Sequence, residues 1–204
     1  MSADLVDCDD ISEAAIMQEL KARFQQDVIY SAIGPIIIAL NPYKDMPQLY
    51  SAAQMQTYSE PSFAEAQPHV WTIAQAAYSQ LRTDLCRQAI VISGESGAGK
   101  TEATKRCLQF LSAVGATAGS GLGGSRPGAV PVEDRVLATG PVLESFGNAK
   151  TAKNNNSSRF GKWRSSTTSS ALVLKGAHIT QYLLEKTRVV VQGPEERNYH
   201  IFYQ

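Results

Sequence analysis

The chain has 204 residues, with 19 Lys+Arg against 19 Asp+Glu, a formal net charge of zero and 43% hydrophobic residues. That length can bury one substantial core or form part of a larger one. The balanced charge suggests neither nucleic acid nor an acidic membrane as partner, and no apolar run approaches a transmembrane helix in length. The acidic segment from Met1 to Asp10 lacks a signal-peptide pattern, and Cys8, Cys86 and Cys107 read as reduced thiols rather than a disulfide framework or metal site.

In chain order, Ser12 predicts a helix cap, with Ile16, Leu20 and Phe24 on one face of the helix it opens. A β-rich apolar run from Ile33 to Leu40 is interrupted at Gly34-Pro35 and ends at the Asn41-Pro42 turn. Pro68 leads into an amphipathic helix marked by Val70, Ile73, Ala77 and Leu81. Ala89-Ile90-Val91-Ile92-Ser93 is short, apolar and β-branched, and reads as a buried strand. Gly94-Glu95-Ser96-Gly97-Ala98-Gly99-Lys100-Thr101 follows and fits G-x-x-x-x-G-K-[ST]. Beyond it, Ala103, Cys107, Phe110 and Val114 recur at helical spacing. Strand, glycine loop and helix together make a phosphate site. Glycines let backbone N–H groups turn inward as an anion nest, and the helix N-terminus adds partial positive charge. Lys100 would reach the terminal phosphates and the Thr101 hydroxyl would hold Mg²⁺. A chance match in an ordinary glycine turn is the alternative, and the flanking strand and helix weigh against it.

From Gly115 to Pro131 the chain is glycine-rich with little apolar content, which predicts a flexible surface loop. Helical patterning resumes from Val132 to Phe146, broken at Gly140-Pro141. Residues 148–162 are crowded with short polar side chains. By composition this is either a solvated loop or a hydrolysing site, in which hydroxyls, amides and a charge come from Ser157, Ser158, Asn154 and Arg159. The following Trp163-Arg164-Ser165-Ser166-Thr167-Thr168-Ser169-Ser170 suits a strand poorly because of its serines, predicting one that is frayed or missing. Leu172-Val173-Leu174 and Val189-Val190-Val191 read as strands. Short strands alternating with helices argue an α/β fold, a mostly parallel sheet flanked by helices. His69, His178 and His200 share no metal spacing and read as structural. Trp71 and Trp163 read as packing residues.

The residues also carry a family resemblance. Residues 94–101 followed by Glu102 are similar to the P-loop of the myosin motor head, and 148–162 resembles its switch I nearly residue for residue. Asn41-Pro42-Tyr43-Lys44, with Pro47 and Tyr50 beyond, resembles the loop that holds the purine ring, although one extra residue lies between Pro47 and Tyr50. Residues 182–190 and 196–204 resemble two further stretches of the head. The resemblance implies a P-loop NTPase-like fold in an incomplete motor domain. It also implies ATP and Mg²⁺ as cofactors, metal held by Thr101 and Ser158, and Asn154, Ser157 and Ser158 closing over the γ-phosphate. Adenine would sit near Asn41, Pro42, Tyr43 and Tyr50. Actin filaments are the implied partner and the cytoskeleton of the cytoplasm the implied location, and the glycine-rich loop would tune nucleotide exchange.

One departure limits that expectation. The family's switch II, Asp-x-x-Gly-x-Glu, has no counterpart among these residues, so Arg159 is expected to lack the acidic partner that the resemblance gives it. The reading is therefore the nucleotide-binding front of a motor, with weak hydrolysis of its own. A stand-alone nucleotide-dependent interaction module and a small P-loop kinase are the competing readings. The kinase lacks a recognisable acceptor site.

Overall fold

A computed structural model describes residues 4–60, 67–118, 130, 132–168 and 174–204. The chain divides into two compact units. Met1–Ser93 with Ala98–Val114 form the first, and Gly94–Gly97 with Gly115–Gln204 the second.

In the first unit, helix α1 (Glu13–Gln25) starts where Ser12 Oγ accepts the Ala15 N–H at 3.3 Å, a side-chain cap on an otherwise unsatisfied donor. The apolar run that follows is an antiparallel hairpin, β1 (Tyr30–Ile33) against β2 (Ile36–Ala39), in register Tyr30↔Ala39 to Ile33↔Ile36. Gly34 turns it with a φ of +53°, a conformation costly for residues with a Cβ. Its N–H is held by both carboxylate oxygens of Asp4, at 3.1 and 3.0 Å. Helices α2 (Ala52–Ser59), α3 (Val70–Asp84) and, as far as Val114, α4 (Lys100–Ala118) supply the rest.

The core of this unit is aromatic. Trp71, fully buried on α3, stacks on Phe110 of α4 at 5.8 Å between centroids, and its Nε1 donates to the Arg106 carbonyl at 3.1 Å. Ile29, Tyr30, Tyr58, Val70, Ala74 and Cys107 complete the cluster. His69, the N-cap of α3, is also fully buried, packed between Tyr30, Tyr50, Tyr58 and Trp71 at 4.5 to 5.7 Å. Its Nδ1 accepts the Trp71 N–H at 3.1 Å, which fixes the neutral tautomer with the proton on Nε2.

In the second unit α5 (Val132–Ala138) and α6 (Gly140–Gly147) precede two antiparallel hairpins. Strand β3 (Asn148–Thr151) pairs with β4 (Asn154–Ser158), and β5 (Gly161–Thr168) with β6 (Leu174–Tyr182). Pro141 stands at the start of α6, where a missing N–H costs nothing.

Several expectations are corrected. The three strand pairings among the described residues are antiparallel two-stranded hairpins. Ala89–Ser93 is not a strand, and Val91 is 85% exposed. A β-branched run becomes a strand only where a neighbour takes its N–H and C=O groups, and no described strand pairs with it. Val189-Val190-Val191 fails likewise: Val189 ends a 3-10 turn, Lys186–Val189, and all three valines are exposed. Conversely, β5 forms despite its serines, because β6 supplies a partner for each residue from Gly161 to Thr167. On α3 the buried face is Val70, Trp71, Ala74, Gln75 and Tyr78, rotated from the expected Ile73, Ala77 and Leu81, because the large rings dominate burial. Trp163 is 53% exposed, not packed. Of the expected flexible loop, residues 115–118 continue α4, while 119–129 and 131 lie outside the described residues, as do 172 and 173.

The buried imidazole makes stability depend on pH. Burial, with Arg106 adding repulsion, pushes the His69 pKa down from 6.5 to about 4, against a partial offset from the Leu49 backbone. Between those values the unfolded chain binds the extra proton, so stability is complete above pH 6.5 and falls as pH drops toward 4, by about 3 kcal/mol at most. Urea unfolding of wild type and His69→Phe across this range checks it. The variant should lose that part of the slope, and equal slopes would contradict the assignment.

Candidate functional site

The glycine loop turns on residues that can adopt unusual backbone angles. Gly97 and Gly99 have φ values of +82° and +94°, a region in which alternating backbone N–H groups converge as an anion nest. Helix α4 starts at Lys100, and the Ala103 N–H bonds the Gly99 carbonyl at 2.9 Å. Lys100 and Thr101 thus stand in the first turn, where helix N–H groups and dipole favour a bound anion. Ala98, Gly99, Lys100 and Thr101 belong to the first unit.

Gly94, Glu95, Ser96 and Gly97 belong to the second unit, together with 148–162, and there the two motifs meet. Ser96 Oγ donates to Ser157 Oγ at 3.0 Å and accepts from Asn154 Nδ2 at 3.0 Å. The polar segment is therefore no solvated loop but a hairpin with a fixed interior. Ser157 is fully buried, as nearly are Asn148 and Thr151. Thr151 Oγ1 accepts the Asn154 N–H at 3.2 Å and Asn148 Nδ2 donates to Asn156 Oδ1 at 3.0 Å. Asparagine and threonine here bond the hairpin's own backbone and side chains, the local competition that excludes them from regular helices. Ser158 is exposed, its hydroxyl donating to the Phe160 carbonyl at 3.4 Å.

Arg159 is not unpaired. Its Nε donates to Glu185 Oε2 at 2.6 Å and its Nη1 to Ser157 Oγ at 3.2 Å. The switch II carboxylate that the resemblance assigns to it is absent from this sequence, and Glu185, twenty-six residues on, supplies another. The same oxygen accepts Arg188 Nε at 2.8 Å, and Arg188 Nη2 reaches Glu196 Oε2 at 2.8 Å. Hydrogen bonds from Arg188 and then Arg159 hold the Glu185 carboxyl below its ordinary value. Arg159 and Glu185 are each about a third exposed, so their pair is worth roughly 1 kcal/mol or less. Its effect is directional rather than stabilising. Sequence reasoning missed Glu185, Arg188 and Glu196. The signals available were the i,i+3 spacing of Glu185 and Arg188 and the resemblance of residues 182–190 and 196–204 to the motor head.

In the first unit the 41–50 segment is partly committed elsewhere. Asn41 Oδ1 accepts the Tyr43 N–H at 3.0 Å and precedes Pro42 in the turn, while Tyr43 is 84% exposed. Tyr50 instead shares a hydrogen bond with Tyr30 Oη at 2.8 Å, and the Arg106 guanidinium lies 4.0 Å from its ring centroid. Such a face-on cation contributes about 0.5–1 kcal/mol, and Glu102 holds Arg106 in place at 2.7 Å. Among the described residues no cluster of His, Cys, Asp or Glu could hold a metal ion, so a cation here would depend on hydroxyls and phosphate oxygens. No helix among the described residues is long and apolar enough to cross a membrane.

A glycine loop of sequence G-x-x-x-x-G-K-[ST], with positive-φ glycines leading into a helix that opens at its lysine, is the arrangement of the P-loop class. Within that class the chain belongs to the myosin head (motor domain) family, whose model matches residues 2–204. It is 50% identical over 193 residues to unconventional myosin-Ic of Bos taurus, covering 95% of this chain and 17% of that relative. It is 46% identical over 202 residues to Myosin-1 of Aspergillus terreus, covering 99% and 16%, and 48% identical to unconventional myosin-Ic-A of Xenopus laevis, covering 95% and 18%. The chain thus spans about a sixth of the length of these relatives, and is part of a motor head. The match gives no support to the interaction-module or kinase readings.

Gly147 tests how tightly the hairpin is set. It ends α6, its carbonyl accepts the Arg159 N–H at 2.9 Å, and an added Cβ would run into the Phe160 ring. Gly147→Ala should cost about 1–3 kcal/mol, read as an earlier urea midpoint in hydrogen exchange across residues 148–158. An unchanged midpoint would mean the ring yields freely.

Proposed function

We propose that this chain is the nucleotide-binding front of an actin-based motor, holding Mg-ATP. What carries the reading is the Ser96 hydroxyl, bonded to both Asn154 and Ser157 of the second motif. Such a link supports a glycine loop and a hairpin acting on one phosphate chain rather than as separate turns. Backbone N–H groups of Gly94, Glu95, Ser96, Gly97, Ala98 and Gly99 would cradle the phosphates, and Lys100 would offset the terminal charge. Thr101 and Ser158 are the hydroxyls to hold Mg²⁺, which when bound neutralises charge developing on the phosphate oxygens. Asn154 and Ser157 would orient the terminal phosphate and a water, with Arg159 keeping Ser157 in place. The adenine would lie against Asn41, Pro42 and Tyr43. Tyr50, engaged by Tyr30 and Arg106, would brace that segment rather than stack on the base.

Hydrolysis coupled to actin filaments, in the cytoskeleton of the cytoplasm, is the proposed activity of the whole head. There Ala89–Ser93 would be a strand of the mostly parallel sheet. The chain alone should turn over ATP far more slowly, since it carries no Asp-x-x-Gly-x-Glu segment to complete the metal and γ-phosphate contacts.

Lys100→Ala tests the proposal through charge without altering the glycine turns. Titration of a fluorescent ATP analogue with Mg²⁺ should show saturable binding that weakens at least about tenfold in the variant, in line with the loss of one charge-assisted phosphate contact. Binding unaffected by the substitution would remove the phosphates from the glycine loop.

A further inference from the structure

Arg188 is 3% exposed, and a buried guanidinium must have its donors answered. Here they are answered on three sides: Nε and Nη2 by the Glu185 carboxylate at 2.8 and 3.3 Å, Nη2 again by Glu196 at 2.8 Å, and Nη1 by the Arg197 carbonyl at 3.0 Å. The cation is thereby fixed, and with it the carboxylate it grips. Glu185 is also tied at its main chain. Its N–H bonds the Arg159 carbonyl at 3.1 Å and its carbonyl accepts Tyr199 Oη at 2.7 Å. Residues 159 and 185 are thus joined twice, once by backbone and once by the 2.6 Å ion pair. From Arg159 the hydrogen bonds continue to Ser157 Oγ and on to Ser96 Oγ. An unbroken series of polar contacts therefore runs from the buried Arg188 to the hydroxyl of the glycine loop.

We propose that Glu185, gripped by Arg188, is a positioning residue for phosphate recognition: it sets Arg159, which holds the Ser157 and Ser96 hydroxyls in the geometry that reads a terminal phosphate. This rests on the nucleotide reading above and extends it to residues outside both motifs. The carboxylate does not touch the nucleotide. It acts because a guanidinium offers its donors in a rigid plane, so anchoring Nε at one edge aims Nη1 at Ser157. A neutral amide at 185 would keep the shape but lose the charge-assisted bonds to both arginines. An aspartate would keep the charge and shorten the reach.

The test uses the full chain as wild type, Glu185→Gln and Glu185→Asp. Hydrogen exchange without nucleotide reads the hairpin directly. Glu185→Gln should lose protection about tenfold across residues 154–158, leave helix α3 unchanged, and be partly rescued in Glu185→Asp. Titration with Mg-ATPγS and Mg-ADP then reads recognition, and the preference for the triphosphate should fall about tenfold in Glu185→Gln with little change in diphosphate affinity. Unchanged protection at 154–158, equal loss across α3 in both variants, or an unaltered triphosphate preference would each overturn the proposal. If wild type binds neither nucleotide yet the local loss appears, the positioning role stands and the nucleotide reading falls.

Discussion

The Ser96 hydroxyl joins two polar segments of this chain. Ser96 Oγ donates to Ser157 and accepts from Asn154, both at 3.0 Å. Each bond is worth only about 1 kcal/mol, so the contact is less a source of stability than a constraint on shape. Ser157 can serve it because it is fully buried, where water does not compete for its oxygen and a misplaced partner would leave a polar group unanswered. The hairpin's internal asparagine and threonine bonds, and Arg159 beyond it, all keep that one oxygen in place.

The first unit follows a different logic. Its helices meet through rings rather than polar contacts, with Trp71 at the centre, and the polar atoms that enter the cluster do so under constraint. His69 is neutral because its Nδ1 caps α3 and burial disfavours its charge. Burial likewise pushes the Cys107 thiol up to about 11, which suits a packing residue and not a reactive one. Arg106, one helical turn and more beyond the P-loop lysine, ties Tyr50 to α4 by its guanidinium and Trp71 by its carbonyl. The helix that opens at Lys100 is therefore also what braces the 41–50 segment.

What the sequence made legible was what local rules decide. The Ser12 cap, the Gly34-Pro35 turn, the period of Ala103, Cys107, Phe110 and Val114, and the break at Gly140-Pro141 each correspond to an observed boundary or face. The glycine loop was legible as a turn because its glycines have a backbone reason to be there. What failed depended on partners. Ala89–Ser93 and Val189-Val190-Val191 have strand composition, but pairing is a property of the neighbour, and the serines of β5 were overruled by the neighbour they have in β6. The ion pairs behind Arg159 were invisible for the same reason. No local pattern ties residue 159 to residue 185, and only the fold brings the two charges together.

The central claim is that glycine loop and hairpin act together on the phosphates of one nucleotide. Phosphorus-31 NMR of Mg-ATP mixed with an equimolar amount of this chain tests it most directly, because it observes the phosphates themselves. The account predicts that the β and γ resonances shift and broaden relative to Mg-ATP alone. Resonances that stay at their free positions would contradict it, and would leave the linked hydroxyls of Ser96 and Ser157 as a structural contact without a ligand.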